Sequence, residues 1–219
     1  MNRSVVTLFF ASTLLAACTT DPFTGEQKIA NTAIGAGAGA GVGAIGGAII
    51  GAAVGADARK AALIGAGVGL LTGTGIGLYM DNQEAKLRRQ LQGTGVSVTR
   101  VGDSIVLNMP SNVTFGSDQS DVKPQFFGTL NSVSQVFKEY KQTLINVVGH
   151  TDSTGDANHN YDLSRRRAAS VAQYLSAQQL DAQRFSVEGH GANDPISSNA
   201  SPSGRAQNRR VEITILPLT

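Results

Sequence analysis

Leu144-Ile145-Asn146-Val147-Val148-Gly149-His150-Thr151-Asp152-Ser153-Thr154-Gly155 is the stretch that decides the fold. Its first five residues are a short apolar run and read as a buried strand. Gly149 to Gly155 then ends the strand in turn-forming and ligand-type residues. Asp152 thus leaves the C-terminal end of a strand, where open α/β sheets bind ligands.

The flanks complete the pattern. Downstream, Leu163, Val171, Tyr174 and Leu175 mark a helix, and Arg184 to Glu188 and Arg210 to Ile215 supply two further strands. Upstream, Phe127, Leu130, Val133, Phe137 and Tyr140 recur at helical spacing, behind a Pro124 that suits a first turn. Val96-Ser97-Val98-Thr99 alternates, Val101 to Ser104 is turn chemistry, and Ile105-Val106-Leu107 resumes a strand. Strand, helix, strand, helix, strand predicts an α/β fold: a βαβαβ mixed sheet with its helices on one face, over residues 95–219.

The rest of the chain has a different composition. Of 26 glycines, 15 lie between Gly35 and Gly77. Ala33 to Ala56 is 24 residues without a charged or polar side chain, Asp57 to Lys60 is a polar turn, and Ala61 to Met80 is a second apolar segment. Gly35, Gly39, Gly43, Gly47, Gly51 and Gly55 recur every fourth residue, as do Gly65, Gly69, Gly73 and Gly77. On a helix this spacing makes a slowly drifting stripe that lets a second backbone approach closely. Nine glycines in the first segment cost a helix roughly 9 kcal/mol in water relative to alanine. In lipid the alternative is unpaired backbone, so the helix wins there. The reading is a glycine-zipper helical hairpin of membrane-spanning length over 33–80; a flexible spacer across an envelope is the competing one. Asp81 to Gln92 reads as an exposed charged extension of the second helix, which Gly93-Thr94-Gly95 ends, making 81–94 an extension and linker.

At the N-terminus, Arg3 precedes a largely apolar run of 13 residues, Val5 to Ala17, with the length of a signal-peptide core rather than a stable span. Leu15-Ala16-Ala17-Cys18 closes the run and resembles the lipobox of bacterial lipoproteins. That resemblance implies a signal peptide at 1–17 and Cys18 as an acylated, palmitate-bearing mature N-terminus. Thr19 after the cysteine, rather than Asp, implies the outer membrane. Residues 18–32 then read as a polar, lipidated tether. Loss of Arg3 would leave 17 − 16 = +1 in charge.

So small a net charge excludes bulk nucleic-acid binding, and one cysteine excludes an intramolecular disulfide framework. His150, Asp152 and Ser164 suggest a triad and His150 with His190 a metal pair, but no nucleophile motif and no second ligand pair accompanies them. The expectation is a protein that is not an enzyme, with no cofactor and no metal.

After Gly149 to Gly155, the chain carries Asn160, Leu163-Ser164, Arg167-Ala168, Gly189-His190-Gly191, Pro195, Asn199, Gly204-Arg205 and Asn208-Arg209-Arg210-Val211-Glu212. In this order and spacing they resemble the OmpA-like peptidoglycan-binding domain, also found in Pal and motor-stator proteins, over about Val113 to Thr219. With the lipobox and the glycine zipper, the whole chain resembles the YiaD family of outer-membrane lipoproteins.

The resemblance implies noncovalent binding of peptidoglycan through meso-diaminopimelate, whose free end carries both an ammonium and a carboxylate. Asp152 would hold the ammonium and Arg167 the carboxylate, a planar fork suiting that anion. Thr151, Ser153, Thr154 and Asn160 would shape the loop, Phe115 would line the pocket, and Arg209 would support it from the last strand. Helix N–H groups near Asp162–Ser164 are expected to face the same anion. The domain would sit in the periplasm and tie the outer membrane to the wall, with the zipper offering a route to a homo-oligomer. The rival reading is a membrane-active oligomer or pore for which the wall-binding domain is a tether.

Overall fold

The computed structural model describes residues 66–219 and the short stretches 18–20, 27–29, 59–60 and 63–64. The signal peptide at 1–17 and the first glycine segment, Ala33 to Ala56, lie outside the described residues. Strands β1 (Cys18–Thr20) and β2 (Gln27–Ile29) pair antiparallel, Cys18 opposite Ile29, within the stretch read from sequence as a tether.

The remaining elements follow the chain as α1 (Thr74–Leu91), β3 (Ser97–Val101), β4 (Ser104–Pro110), the single turn α2 (Ser111–Thr114), α3 (Phe127–Glu139) and β5 (Thr143–His150). After these come α4 (Ala157–Ala177), β6 (Phe185–Gly189), α5 (Pro202–Asn208) and β7 (Arg210–Pro217). The five-stranded sheet has the order β3-β4-β7-β5-β6. Only β5 and β6 run parallel, joined by the crossover helix α4; the other pairs are antiparallel. The predicted mixed sheet with helices on one face is the one observed.

Period-two alternation explains the sheet's inner face. Ile105, Leu107 and Met109 of β4, Ile145 and Val147 of β5, and Val211, Ile213 and Ile215 of β7 are all fully buried. Against them pack Leu130, Val133 and Phe137 of α3, and Ala168, Val171 and Leu175 of α4. The opposite face of β5 is mixed yet covered: Asn146 and His150 are buried there beside Leu144, and Asn146 Oδ1 accepts from Arg59 and from Ser186 Oγ.

Two glycines set the distance between sheet and helix. A Cβ on Gly149 would lie 1.9 Å from the carbonyl oxygen of Ser164, and one on Gly189 would lie 2.6 Å from the amide nitrogen of Arg165. The ends of β5 and β6 therefore press directly on the backbone of α4, close to the candidate site.

Three expectations change. Asp81 to Arg89 is not an exposed extension: Met80, Leu87 and Leu91 of α1 enter the core, with Gln83 and Glu84 buried beside them. Apolar positions at helical spacing decide the packing, and the one buried carboxylate, Glu84, pairs with Arg88 on the next turn. The second glycine segment is not one continuous helix. Residues 68–72 are non-helical; Gly67 and Gly73 take the left-handed φ values of 84° and 55°, and Leu71 N donates to Leu218 O just beyond the end of β7. Buried Leu63 packs there with Leu144 and Leu218. Thirdly, α4 begins well before Asp162–Ser164. Asp156 caps it, accepting from His159 N, so Asp162–Ser164 is helix interior and offers no free N–H groups. Among the described residues, no helix is long and apolar enough to cross a membrane.

Candidate functional site

The site forms where β5 ends. Asp152, 8% exposed, lies two residues beyond the strand. Its Oδ1 accepts from Thr154 N at 2.9 Å, an Asx-type turn that fixes the carboxylate. Its Oδ2 accepts from Arg209 Nη1 at 2.6 Å. Burial alone would raise this carboxyl, but the Arg209 guanidinium and the Thr154 hydrogen bonds outweigh it and hold the group below the usual carboxylate range.

Asn160, on α4's first turn, donates to Thr154 O at 2.8 Å and Asp152 O at 3.4 Å, tying the loop to the helix. Thr151 N donates to Gly191 O, joining the loops after β5 and β6. Ser153 N donates to Asn199 Oδ1. Asn208 positions that partner: its Nδ2 donates to Asn199 Oδ1, and its Oδ1 accepts from Ile196 N and Ser197 N.

Arg167 comes from α4, about three turns into the helix, because the cap at Asp156 starts the helix early. It is 4% exposed. Its Nε donates to Gln119 O at 2.8 Å and its Nη2 to Gly116 O at 3.4 Å. The guanidinium lies over the fully buried Phe115 ring, 5.3 Å from the centroid, a cation–π contact. Phe115 is thus the floor under Arg167. Burial lowers the Arg167 pKa, Asp118 opposes this, Arg209 and Arg166 add to it, and Asp152 opposes it. Arg209 also stands differently from expectation: it is the residue between α5 and β7, not part of the last strand.

Asp152 and Arg167, expected as two separate ligand-binding charges, are not paired with each other among the described residues: Asp152 bridges to Arg209, and Arg167 is held by loop carbonyls and an aromatic face. The arrangement presents one fixed carboxylate beside two guanidinium groups. Such a set can take a ligand bearing both an ammonium and a carboxylate. Cys18 lies in β1, far along the chain from this loop.

Sequence reading missed the segment that closes over Arg167. Asp118, with φ of 55°, receives His159 Nε2 at 2.8 Å, so residues 116–119 are pinned to α4 at two points. Gly116-Ser117-Asp118 is a recognisable turn, but nothing local in it indicates the helix it meets.

His150, Asp152 and Ser164 do not form a relay. Ser164 Oγ donates to Tyr161 O and accepts from Gly191 N, while neither ring nitrogen of His150 has a hydrogen-bond partner among the described residues. Its imidazole is pushed down to about 3 by burial, then by Arg210 and His190, against an opposing Asp194.

The sequence profile of the OmpA family matches residues 114–209, and that of the YMGG-like Gly-zipper matches residues 1–81. Probable lipoprotein YiaD of Escherichia coli (strain K12) is 52% identical over 204 residues, covering 93% of this chain and 92% of that protein. Among solved structures, a putative MotB like protein from Desulfovibrio vulgaris superimposes with a TM-score of 0.58 at 25% identity, covering 64% of this chain and 94% of the other. The cell wall anchor of the T6SS from Pseudomonas aeruginosa gives 0.55 at 34% identity, covering 60% and 96%.

Proposed function

Because the chain belongs to the YiaD family of lipoproteins, an OmpA-family domain behind a glycine-zipper segment, we propose that it ties the outer membrane to the cell wall. In this reading Cys18 carries the acyl anchor, and more than one chain makes that anchoring durable. The folded domain stands in the periplasm and binds peptidoglycan noncovalently at the end of β5.

One observation carries the proposal. Asp152 is clamped by Arg209 and Thr154 while Arg167 is buried over Phe115 with its Nε and Nη2 already committed. Arg167 Nη1 makes no hydrogen bond within the described residues and is the donor left for a ligand carboxylate. The free oxygen lone pairs of Asp152 take the ammonium. The free end of meso-diaminopimelate supplies both groups on one carbon, and the site's fixed geometry suits such a compact pair. A wall-anchoring neighbour with the same fold gives the same direction.

The test compares retention of the detergent-solubilised chain on purified diaminopimelate-type wall and on lysine-type wall freed of its anionic polymers. Lysine stems lack the second carboxylate. Retention at least about tenfold stronger on the diaminopimelate wall is expected, the scale of one lost charged hydrogen bond. Equal retention would remove diaminopimelate as the recognised group.

A further inference from the structure

A second group of ligand-type side chains gathers at the ends of β5 and β6, on the sheet face opposite the core. His150, His190 and Asp194 each offer one donor atom within 4.8 Å of the other two. His150 is 4% exposed, and neither of its ring nitrogens has a hydrogen-bond partner within the described residues. Leaving a buried polar group unpaired is costly, which makes this ring an observation in need of a partner. The ring stands edge-on to His190, with centroids 5.4 Å apart. His190 Nδ1 in turn lies 2.5 Å from Asp194 Oδ2, and its Nε2 lies 3.3 Å from Glu188 Oε2.

We propose that His150, His190 and Asp194 bind a divalent transition-metal ion of the zinc class. Two imidazole nitrogens and a carboxylate oxygen are a donor set of the hardness that zinc accepts. The ion takes the place of the proton between His190 Nδ1 and Asp194 Oδ2, leaving Glu188 on the far nitrogen as the carboxylate that orients the ring. A tetrahedral ion about 2.0–2.1 Å from each donor holds the donors roughly 3.3 Å apart, so His190 Nδ1 and Asp194 Oδ2 part slightly while both move toward the His150 ring. His190 and Asp194 are partly exposed and free to turn, with side chains 36% and 57% accessible, whereas His150 is fixed by the sheet.

The nearest opposing charge is Arg210. Its Nε donates to Glu212 Oε1 at 2.6 Å, and its other nitrogens donate to the carbonyls of Asn208 and Asp194. That guanidinium is thus occupied, and it holds the Asp194 backbone in position. Its charge keeps affinity below that of a cysteine-rich structural site. The ion would brace the loops after β5 and β6, which Thr151 N already joins through Gly191 O, and so steady the loop that carries Asp152.

The test uses the full chain with Cys18→Ser, so that no thiol competes for metal. Equilibrium dialysis against Zn²⁺ should yield one equivalent per chain, and Co²⁺ should give the visible bands of a tetrahedral nitrogen–oxygen site. His190→Ala and Asp194→Ala alter partly exposed side chains and should keep the parent circular dichroism while weakening Zn²⁺ binding at least about tenfold. The chain has three histidines, and His159→Ala should leave binding unchanged. Failure of the parent to take up stoichiometric metal would overturn the site. So would equal uptake by folded His190→Ala, or loss of uptake in His159→Ala.

Discussion

Arg167 does two jobs with one planar group. Its Nε and Nη2 hold the carbonyls of Gln119 and Gly116, its face lies on Phe115, and in the proposed reading Nη1 is left for the ligand. A lysine ammonium has the charge but not the fork, so it can satisfy one carbonyl or reach the ligand, not both. Arg167→Lys should therefore keep the fold and weaken wall binding about tenfold or more, read as the wall concentration needed for half retention. Unchanged retention would leave Arg167 as a strut for the 116–119 segment and nothing else. Arg184 shows the opposite use of the same side chain. Its guanidinium donates to the carbonyls of Phe137, Tyr140 and Thr143 and to Thr143 Oγ1, so a buried cation stitches α3 to β5 far from the ligand.

At the scale of elements, the close approach of α4 to β5 and β6 is what places Arg167 beside Asp152. Gly149 makes that approach, and Gly149→Ala would drive a methyl group into the backbone of Ser164, which has nowhere to retreat inside α4. A loss of about 1–3 kcal/mol is expected from overpacking, at the upper end because the neighbour is backbone. Urea unfolding with an unchanged m-value would read it, and a parent-like midpoint would contradict the packing described.

Much of this level was legible before any coordinates. Apolar runs of the right period marked β5, β7, α3 and α4, because each buries one face against the same core. What was not legible came from tertiary partners. The charges of Asp81 to Arg89 hid the burial of one face of that helix, and Asp156 caps α4 earlier than the apolar spacing alone indicates. Asp152 and Arg167 are both legible in the sequence, but the groups that hold them in place are not. The partner of Asp152 arrives from position 209, and the partners of Arg167 are backbone carbonyls that no side-chain pattern announces.

On the scale of the whole molecule, the core extends from α1 to β7, so the helix that follows the glycine-rich segment is packed into the domain. Lys86 pairs with Glu139, and Tyr79 Oη accepts from Gln142 N, joining α1 to α3 and to the start of β5. A pull on the N-terminal segment would thereby reach the body that carries the proposed wall site, as the tether reading requires.

That claim is tested most directly by co-sedimenting the detergent-solubilised Cys18→Ser chain with purified diaminopimelate-type peptidoglycan, beside Asp152→Ala and Arg167→Ala in the same background. The expected result is that the parent pellets with the wall, while both variants stay in the supernatant with the parent circular dichroism. A folded parent that does not pellet, or two folded variants that pellet as well as the parent, would contradict wall binding through this site.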